Sequence, residues 1–301
     1  MEFKLPVESY PNRVFEVTIG PEGKSLKLGG ENILPLHFFD EGSCPNPPKF
    51  ALEVWDMEPT DWSDWDREPF KDVISDPVSW ARKCESYGVD AVCLKLVSTD
   101  PAVKDAPADE AAKLTRKVAE AINVPLIVYA SGDPEKDAKV LPKVAEACSG
   151  LNLLLGPVQK ENYEEVGKAI LAHGHALIAQ TPLDINLLKE LNVKLSKFFP
   201  LERIVVDPLS SGLGYGFEYS FSLMERVKQA GIIFKDEMTQ MPIIADLGTE
   251  CWKTKQAKES KEQGILWEGM TALSLLLAGA NLLVLRHPET MKLIREMTSQ
   301  S

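Results

Sequence analysis

The sequence lacks a cysteine pattern that would hold a zinc ion or an iron–sulfur cluster. No two of its five cysteines form a C-x-x-C pair; they are Cys44, Cys84, Cys93, Cys148 and Cys251. Structural zinc and iron–sulfur sites normally use closely spaced cysteines. We therefore predict no iron–sulfur cluster in this chain, and an odd, dispersed set of thiols also favours a reducing compartment.

Long apolar runs and an excess of basic residues are also missing. The longest apolar candidate, residues 272–284, is interrupted by Gly279 and Asn281 and is shorter than the roughly 18 residues of a membrane span. The 301 residues contain 33 Lys and Arg against 45 Asp and Glu, a formal net charge of −12. This charge disfavours nucleic acids and anionic membranes as partners. Because the N-terminus also has no apolar export signal, we expect a cytoplasmic protein.

From Phe50 onward, short apolar strands alternate with amphipathic helices. Eight strand–helix units follow one another over about 250 residues, which is the usual size of a TIM barrel. Continuous β-branched runs are typical of parallel strands buried on both faces. The predicted strands are 51–55, 91–96, 125–129, 151–155, 175–179, 203–206, 242–245 and 281–285. We therefore predict an α/β fold, a (β/α)8 TIM barrel over residues 50–301, with a doubly wound sheet as the alternative.

Residues 1–49 do not show the strand–helix alternation of the predicted barrel. Two short runs, 14–18 and 25–28, flank Gly20-Pro21-Glu22-Gly23 and predict a β-hairpin. We expect this N-terminal extension to be structural, covering the bottom of the barrel or an exposed edge.

The stretch from Arg203 to Ser220, RIVVDPLSSGLGYGFEYS, indicates a ligand loop. A buried strand ends at Asp207, and a loop with Gly212, Gly214 and Gly216 follows before the next helix. In TIM barrels the carboxyl ends of the strands carry function. The strand ends are polar here, but they show neither a metal-ligand cluster nor a serine or cysteine with a neighbouring histidine. Of the four histidines, only His287 is expected near this end.

Two further loops at the same end are distinctive. The loop from Trp55 to Pro77 is rich in acids and contains Trp62 and Trp65, and it can be either a solvated lid or a partner surface. The loop after the seventh strand contains Thr249, Cys251 and Trp252. Cys251 can be a nucleophile or a ligand, although no paired base is visible, and Trp252 can cover a flat ring.

Four segments resemble one known family. FALEVWDMEP (50–59), DPLSSGLGYGFEYS (207–220), IADLGTECWKTKQA (244–257) and GGENILPLHFFDEG (29–42) are similar to the small, delta-type subunit of the corrinoid/iron–sulfur protein of the anaerobic acetyl-CoA pathway. The resemblance spans essentially the whole chain. It implies a barrel related to pterin-dependent methyltransferases.

The resemblance also implies partners and a cofactor. The large subunit of that protein holds an iron–sulfur cluster and a corrinoid (cobamide), and the heterodimer accepts a methyl group from methyltetrahydrofolate through a separate methyltetrahydrofolate:corrinoid methyltransferase. The methyl group then passes to CO dehydrogenase/acetyl-CoA synthase. Consistent with a corrinoid held elsewhere, this chain has no Asp-x-His-x-x-Gly run.

On this basis we expect a non-catalytic subunit that covers the corrinoid at the interface with the large subunit. Glycines permit close backbone approach, and aromatic rings offer flat apolar surface. The residues expected to border the corrinoid are Asp207, Gly212, Gly214, Tyr215, Gly216, Tyr219, Thr249, Cys251 and Trp252.

Two alternatives remain open from the sequence. The barrel can itself be a pterin-dependent methyltransferase, with Asp207 among its pterin ligands, although the third strand ends without an asparagine. It can also be a purely structural subunit that docks partners through the loop from Trp55 to Pro77.

Overall fold

The computed structural model describes residues 7–35 and 41–298. The strands are β1 (Glu16–Ile19), β2 (Leu26–Gly29), β3 (Lys49–Trp55), β4 (Ala91–Lys95), β5 (Leu126–Tyr129), β6 (Leu154–Val158), β7 (Ala176–Gln180), β8 (Ile204–Asp207), β9 (Ile244–Asp246) and β10 (Leu282–Leu285). The helices are α1 (Asp64–Arg67), α2 (Pro77–Ser86), α3 (Ala108–Ala121), α4 (Pro134–Ala147), α5 (Tyr163–Ala172), α6 (Ile185–Leu195), α7 (Phe217–Ile232), α8 (Gly248–Trp252), α9 (Lys261–Leu277) and α10 (Pro288–Thr298). Residues 36–40 of the segment 29–42 lie outside the described residues.

Eight parallel strands form the barrel that the sequence predicts. Their order is β8-β7-β6-β5-β4-β3-β10-β9, and a parallel bridge between Val206 and Ile243 joins β8 to β9. The amide of Val206 also donates to the carbonyl of Pro242 at 2.9 Å. Because these contacts bring the two outer strands together, the doubly wound alternative is wrong.

Alternate strand residues pack into two separate cores. One core lies between the sheet and the helices. The other fills the barrel interior and contains small and branched side chains such as Ala51, Cys93, Ile178 and Val205. With both strand faces buried, the strands read as continuous apolar runs in the sequence.

The predicted hairpin forms from β1 and β2 and closes the bottom of the barrel. Its Val17, Ile19 and Leu28 are buried in the same cluster as the barrel interior. The amide of Gly20 donates to the carbonyl of Asn152 at 2.7 Å, and Asn152 Nδ2 donates to the carbonyl of Thr18 at 2.9 Å. Gly20 has φ +87° and lies so close to Pro125 that a side chain there would clash. The hairpin and barrel therefore share a core, while a division of the chain at residue 49 stays a prediction.

None of the helices within residues 7–35 and 41–298 is long and apolar enough to span a membrane. The fold leaves the carboxyl ends of the eight strands, and the loops that follow them, as one face of the barrel. We call this face the mouth.

Candidate functional site

A cavity of about 450 Å³ opens at the mouth. Its described ionisable residues include four carboxylates, Asp100, Asp207, Asp246 and Glu250, and one lysine, Lys95. The sequence-predicted Asp207 and Thr249 both line it. The cavity is therefore polar and has an excess of hydrogen-bond acceptors.

Asp207, the last residue of β8, is held by three donors. Its Oδ2 accepts from Tyr129 Oη and from Gln180 Nε2, each at 3.0 Å, and its Oδ1 accepts from the amide of Leu209 at 2.9 Å. Burial raises the pKa of Asp207 to about 6, with the hydrogen bond from Gln180 opposing the shift and the charge of Asp246 adding to it. Both carboxylate oxygens are thus already engaged within the chain.

Lys95, the last residue of β4, bridges two carboxylates on the other side of the cavity. Its Nζ lies 2.6 Å from Glu53 Oε2 and 2.8 Å from Asp246 Oδ2, and it also lies 3.3 Å from Thr249 Oγ1. Burial lowers the pKa of Lys95, but the charges of Asp246 and Glu53 outweigh this effect and raise it overall. Lys95 is therefore a charged, fully engaged donor and is not available as a base.

Arg286 anchors the loop that follows β3. Its guanidinium pairs with Glu53, lies 3.0 Å from Asp66 Oδ2, and is 4.0 Å from the ring centroid of Trp62. Burial opposes ionisation of Glu53, but Arg286 and Lys95 outweigh it and lower its pKa to about 2. The prediction of a solvated lid is wrong for this part of the loop, because Asp66 and Trp62 are buried.

Only the outer part of that loop is exposed. Trp62 packs edge-on against Trp55 and Trp80, with ring centroids 5.3 and 5.5 Å apart. Trp65, by contrast, is 42% exposed. Of the two loop tryptophans, Trp65 alone remains available as a partner anchor.

The glycine loop, residues 212–216, directly follows the cavity-lining residues 209–211, and we call this loop the rim. Gly214 and Gly216 have φ values of +76° and +90°, and a side chain at Gly212 would lie 3.1 Å from the carbonyl oxygen of Glu250. Tyr215 and Tyr219 are 51% and 66% exposed. Tyr215 in the loop and Tyr219 in the first turn of α7 thus face solvent, and their predicted contact with a cofactor stays a prediction.

Cys251 and Trp252 do not lie at the rim, and that expectation is wrong. Residues 248–252 form α8 instead of an open loop, and both side chains are buried at 0% and 1% exposure. Trp252 packs so tightly against Gly264 of α9 that a methyl group there would clash. Burial raises the pKa of the Cys251 thiol well above its usual range, so this cysteine is not an activated nucleophile.

His287 likewise lies in the core. Its ring stacks at 5.7 Å from Trp252, it is fully buried, and its Nδ1 accepts from the amide of Glu289 at 3.2 Å. Burial lowers the pKa of His287 to about 4. His287 thus lies after the carboxyl end of β10 as expected, but its buried side chain does not line the mouth cavity.

A second cavity of about 540 Å³ adjoins the first. The two share Gly132, Gln180 and Leu209 in their linings. Leu209 has φ +64°, a conformation that leucine rarely adopts, and its amide hydrogen bond to Asp207 supports this turn. The turn leaves the Leu209 side chain 40% exposed between the two cavities.

Sequence reasoning missed Glu53, Tyr129 and Ser210 as parts of the mouth. Glu53 carried a signal, since it is a lone charge inside the apolar run FALEVW. Ser210 lines the cavity, but its hydroxyl oxygen is buried and has no hydrogen-bond partner within the described part of the chain. No group of three or more histidine, cysteine or acidic residues that could hold a metal ion occurs in residues 7–35 and 41–298.

Comparison with known proteins decides the family. The CO dehydrogenase/acetyl-CoA synthase delta subunit family matches residues 16–301. The chain belongs to this family. The resemblance predicted from the four segments is thereby confirmed as a delta subunit, whereas the "small subunit" designation stays a prediction.

Relatives with curated names agree with this membership. The acetyl-CoA decarbonylase/synthase complex subunit delta of Methanopyrus kandleri is 39% identical over 287 residues, which cover 92% of this chain and 70% of the relative. The subunit of the same name from Methanothermobacter thermautotrophicus is 38% identical and is matched over 98% of this chain and 78% of the relative.

Solved structures support the barrel alone. A dihydropteroate synthetase crystal structure aligns with a TM-score of 0.62 at 13% identity, over 95% of this chain and 100% of that one. The 7,8-dihydropteroate synthase of Vibrio fischeri also aligns with a TM-score of 0.62, at 14% identity, over 95% of this chain and 99% of that one. At such low identity the likeness establishes the TIM-barrel fold.

Proposed function

We propose that this delta subunit covers the corrinoid of a partner subunit in a methyl-transferring acetyl-CoA complex and is not itself the catalyst. The observation that supports the proposal is an open polar cavity lined by residues 209–211, followed along the chain by the glycine loop and by the exposed Tyr215 and Tyr219. The partner would be the large corrinoid/iron–sulfur subunit, in a heterodimer. The methyl donor and acceptor would be methyltetrahydrofolate:corrinoid methyltransferase and CO dehydrogenase/acetyl-CoA synthase.

The chemistry of the mouth supports a non-catalytic role. Asp207 accepts three hydrogen bonds from within the chain, and Lys95 is paired with two carboxylates. The Cys251 thiol is fully buried. General bases and nucleophiles need a free, correctly placed atom, and these three candidates do not offer one.

The same residues suit a cover for a macrocycle. A corrinoid supplies a cobalt centre that accepts and donates a methyl group, and its reduced form is easily oxidised. Glycines at the rim allow the backbone to approach a broad ring, while Tyr215 and Tyr219 can lie against its apolar face. By excluding water and oxidants, this rim would protect the reactive face until a partner displaces it.

The proposal predicts the behaviour of a rim variant. In the reconstituted complex, Tyr215→Ala combined with Tyr219→Ala should raise the oxidation rate of the reduced corrinoid severalfold, because the ring loses its cover. The visible spectrum of the corrinoid measures this rate. Phe234→Ala is the matched control, since Phe234 is 76% exposed but follows the end of α7 that is remote from the mouth. Equal oxidation rates in both variants and in the unmodified complex would contradict the proposal.

The alternative is a barrel that binds a pterin and transfers the methyl group itself. The mouth cavity and the fold shared with dihydropteroate synthases favour it. The saturation of Asp207 by internal donors opposes it, because a pterin would have to compete for the same oxygens. Calorimetry of the isolated chain with methyltetrahydrofolate separates the two, since micromolar binding supports the enzyme and no binding supports the cover.

A further inference from the structure

The outer face of α9 carries apolar side chains at positions where an outer helix of a barrel normally carries charges. Leu266 and Met270 are each 50% exposed, and Leu277 is 44% exposed. Their spacing of four and eleven residues places all three on one side of the helix. On α3, by contrast, the exposed positions are all charged; they are Asp109, Glu110, Lys113, Lys117 and Glu120.

No charged side chain is exposed on α9 after its first turn. Between Glu262 and Arg286 the only charged residue is Glu268, which is fully buried and accepts from the amide of Arg286 at 2.6 Å. An outer helix normally has one apolar and one charged face, whereas a helix that is apolar all round is normally buried. The composition of α9 is therefore that of a covered helix, although its outer face is exposed in this chain.

Exposed apolar residues also flank α9 on the side of α7. At the mouth, the amide of Leu213 donates to Thr271 Oγ1 of α9 at 3.4 Å, which holds the rim against α9. At the bottom, a side chain on Gly279, just after α9, would lie 2.7 Å from Lys228 Cγ of α7. These two helices and their flanking loops contribute seven of the sixteen large apolar residues that are exposed in the described part of the chain. We call these seven the α7–α9 face; they are Tyr215, Tyr219, Ile233, Phe234, Leu266, Met270 and Leu277.

The α7–α9 face is large enough for a stable interface. With about 200 Å² for one large side chain, the exposed fractions of its residues correspond to roughly 750 Å². A standard protein–protein interface buries about 800 Å² on each partner, whereas the largest apolar patch of a typical monomer is about 300–600 Å². The composition also fits, because aromatic residues and methionine are enriched at interfaces and charged residues are depleted at their centres.

We infer that the α7–α9 face is the stable docking surface for the corrinoid-bearing subunit, which would bring an uncharged apolar face of its own. The inference rests on the proposed covering function. Tyr215 and Tyr219 form the mouth end of the face, so a partner whose corrinoid lies against them already adjoins α9. A second copy of this chain is disfavoured as the occupant, because two molecules with a net charge of −12 each repel one another.

Such a surface would separate holding the partner from covering its cofactor. The rim has to leave the corrinoid for each methyl transfer, so its contacts must break in every cycle. A complex that stays together then needs a second contact that remains closed, and burial of apolar surface supplies one. Leu266, Met270 and Leu277 would hold the two subunits together while the rim opens.

A charge placed on α9 tests the docking surface. The unmodified chain and its variants are titrated against the purified corrinoid-bearing subunit, and biolayer interferometry gives the dissociation constant. Met270→Glu should raise this constant at least about a hundredfold, because a carboxylate would be buried without a partner. Met270→Gln, which is similar in size but neutral, should raise it about tenfold. Val193→Glu on α6 is the matched control, since Val193 is 46% exposed, and it should leave the constant unchanged.

Circular dichroism and urea unfolding show whether each variant is folded. Both Met270 variants should fold normally, because the side chain is half exposed and exposed substitutions change stability little. If Met270→Glu did not fold, the tenfold effect of Met270→Gln would decide.

The contrary outcomes are distinguishable. Equal dissociation constants for the Met270 variants, Val193→Glu and the unmodified chain overturn the docking inference, while the corrinoid oxidation rate of the double tyrosine variant still tests the covering function separately. Self-association of the unmodified chain in sedimentation velocity, abolished by Met270→Glu, assigns the face to a second copy and also overturns the inference. Absence of any complex between the unmodified chain and the corrinoid-bearing subunit overturns both the inference and the proposed function.

Discussion

Asp207 shows how a single residue links the core of the barrel to its mouth. It ends a fully buried strand, so its carboxylate is desolvated, yet it is bonded to Tyr129, Gln180 and Leu209. Burial outweighs these bonds and raises its pKa to about 6. The folded protein therefore holds a proton on Asp207 that the unfolded chain releases near pH 4.

This shift predicts a pH-dependent difference in stability. Since the pKa of Asp207 is higher in the folded state, its contribution to the free energy of unfolding falls as pH rises from about 4 to 6. Asp207→Asn does not titrate, so the free energy of unfolding of the variant relative to that of the unmodified chain should increase by about 1–3 kcal/mol between pH 4.5 and pH 7, whatever the constant cost of placing an amide NH2 among the donors around Asp207. Urea unfolding of both proteins between pH 4.5 and pH 7 measures this difference.

The comparison isolates Asp207 from other buried groups. Burial raises the pKa of Asp137 to about 6 and lowers that of His287 to about 4, and both groups are present in the two proteins, so their contributions cancel. A stability difference that stays constant with pH would contradict the assignment.

At the scale of elements, the loop after β3 is the largest departure from expectation. Its acidic and aromatic composition suggests a solvent-exposed segment, but Asp66 at the short helix α1 pairs with Arg286 from the end of β10. The Trp62 ring lies against the same guanidinium. One cation thus fixes a loop that sequence separates from it by more than two hundred residues.

Removing the Asp66 carboxylate should release the loop that follows β3. Asp66→Ala leaves Arg286 buried with Glu53 as its remaining carboxylate partner, and we expect a loss of about 3 kcal/mol in the free energy of unfolding, since broken buried pairs are costly. Asp64→Ala, on the same helix but exposed, should change it by less than about 0.5 kcal/mol. Urea unfolding gives both values, and proteolysis within residues 56–76 should accelerate for Asp66→Ala alone. Similar behaviour of the two variants would argue that Arg286 does not hold the loop.

At the scale of the whole molecule, the hairpin and the buried Lys228 stabilise the bottom of the barrel. Lys228 of α7 pairs with Glu31 and donates to Asn281 Oδ1 at 2.6 Å. Asn281 Nδ2 in turn donates to Glu31 Oε1 at 2.8 Å. This network ties the N-terminal extension to a helix and to the last strand of the barrel.

Removing one partner of the Lys228–Glu31 pair should lower the free energy of unfolding more than removing both. Lys228→Met leaves Glu31 buried without its cation, and we expect a loss of about 3–5 kcal/mol. Adding Glu31→Leu should restore a large part of that loss, because no unpaired charge then remains buried. Thermal and urea unfolding of the two single variants and the double variant form the cycle, and strictly additive effects would show that the pair is not coupled.

The sequence alone determined the eight strand–helix units, because each unit is encoded locally. Short β-branched runs such as residues 204–206 predict parallel strands buried on both faces, but only the contact between β8 and β9 decided for a barrel over a doubly wound sheet. The hairpin was equally visible, since Gly20 and Gly23 mark its turn. The family was also readable from contiguous segments, such as residues 207–220.

Only the tertiary structure decided which side chains reach the mouth. Trp252 and His287 follow strand ends, but α8 folds back on α9 and buries both. Glu53 meets Lys95, and Gln180 meets Asp207, between neighbouring strands, whereas Tyr129 of β5 reaches Asp207 of β8 although two strands lie between them in the sheet. Such contacts depend on the direction in which a side chain leaves its strand and on partners far away in sequence, which no local pattern specifies.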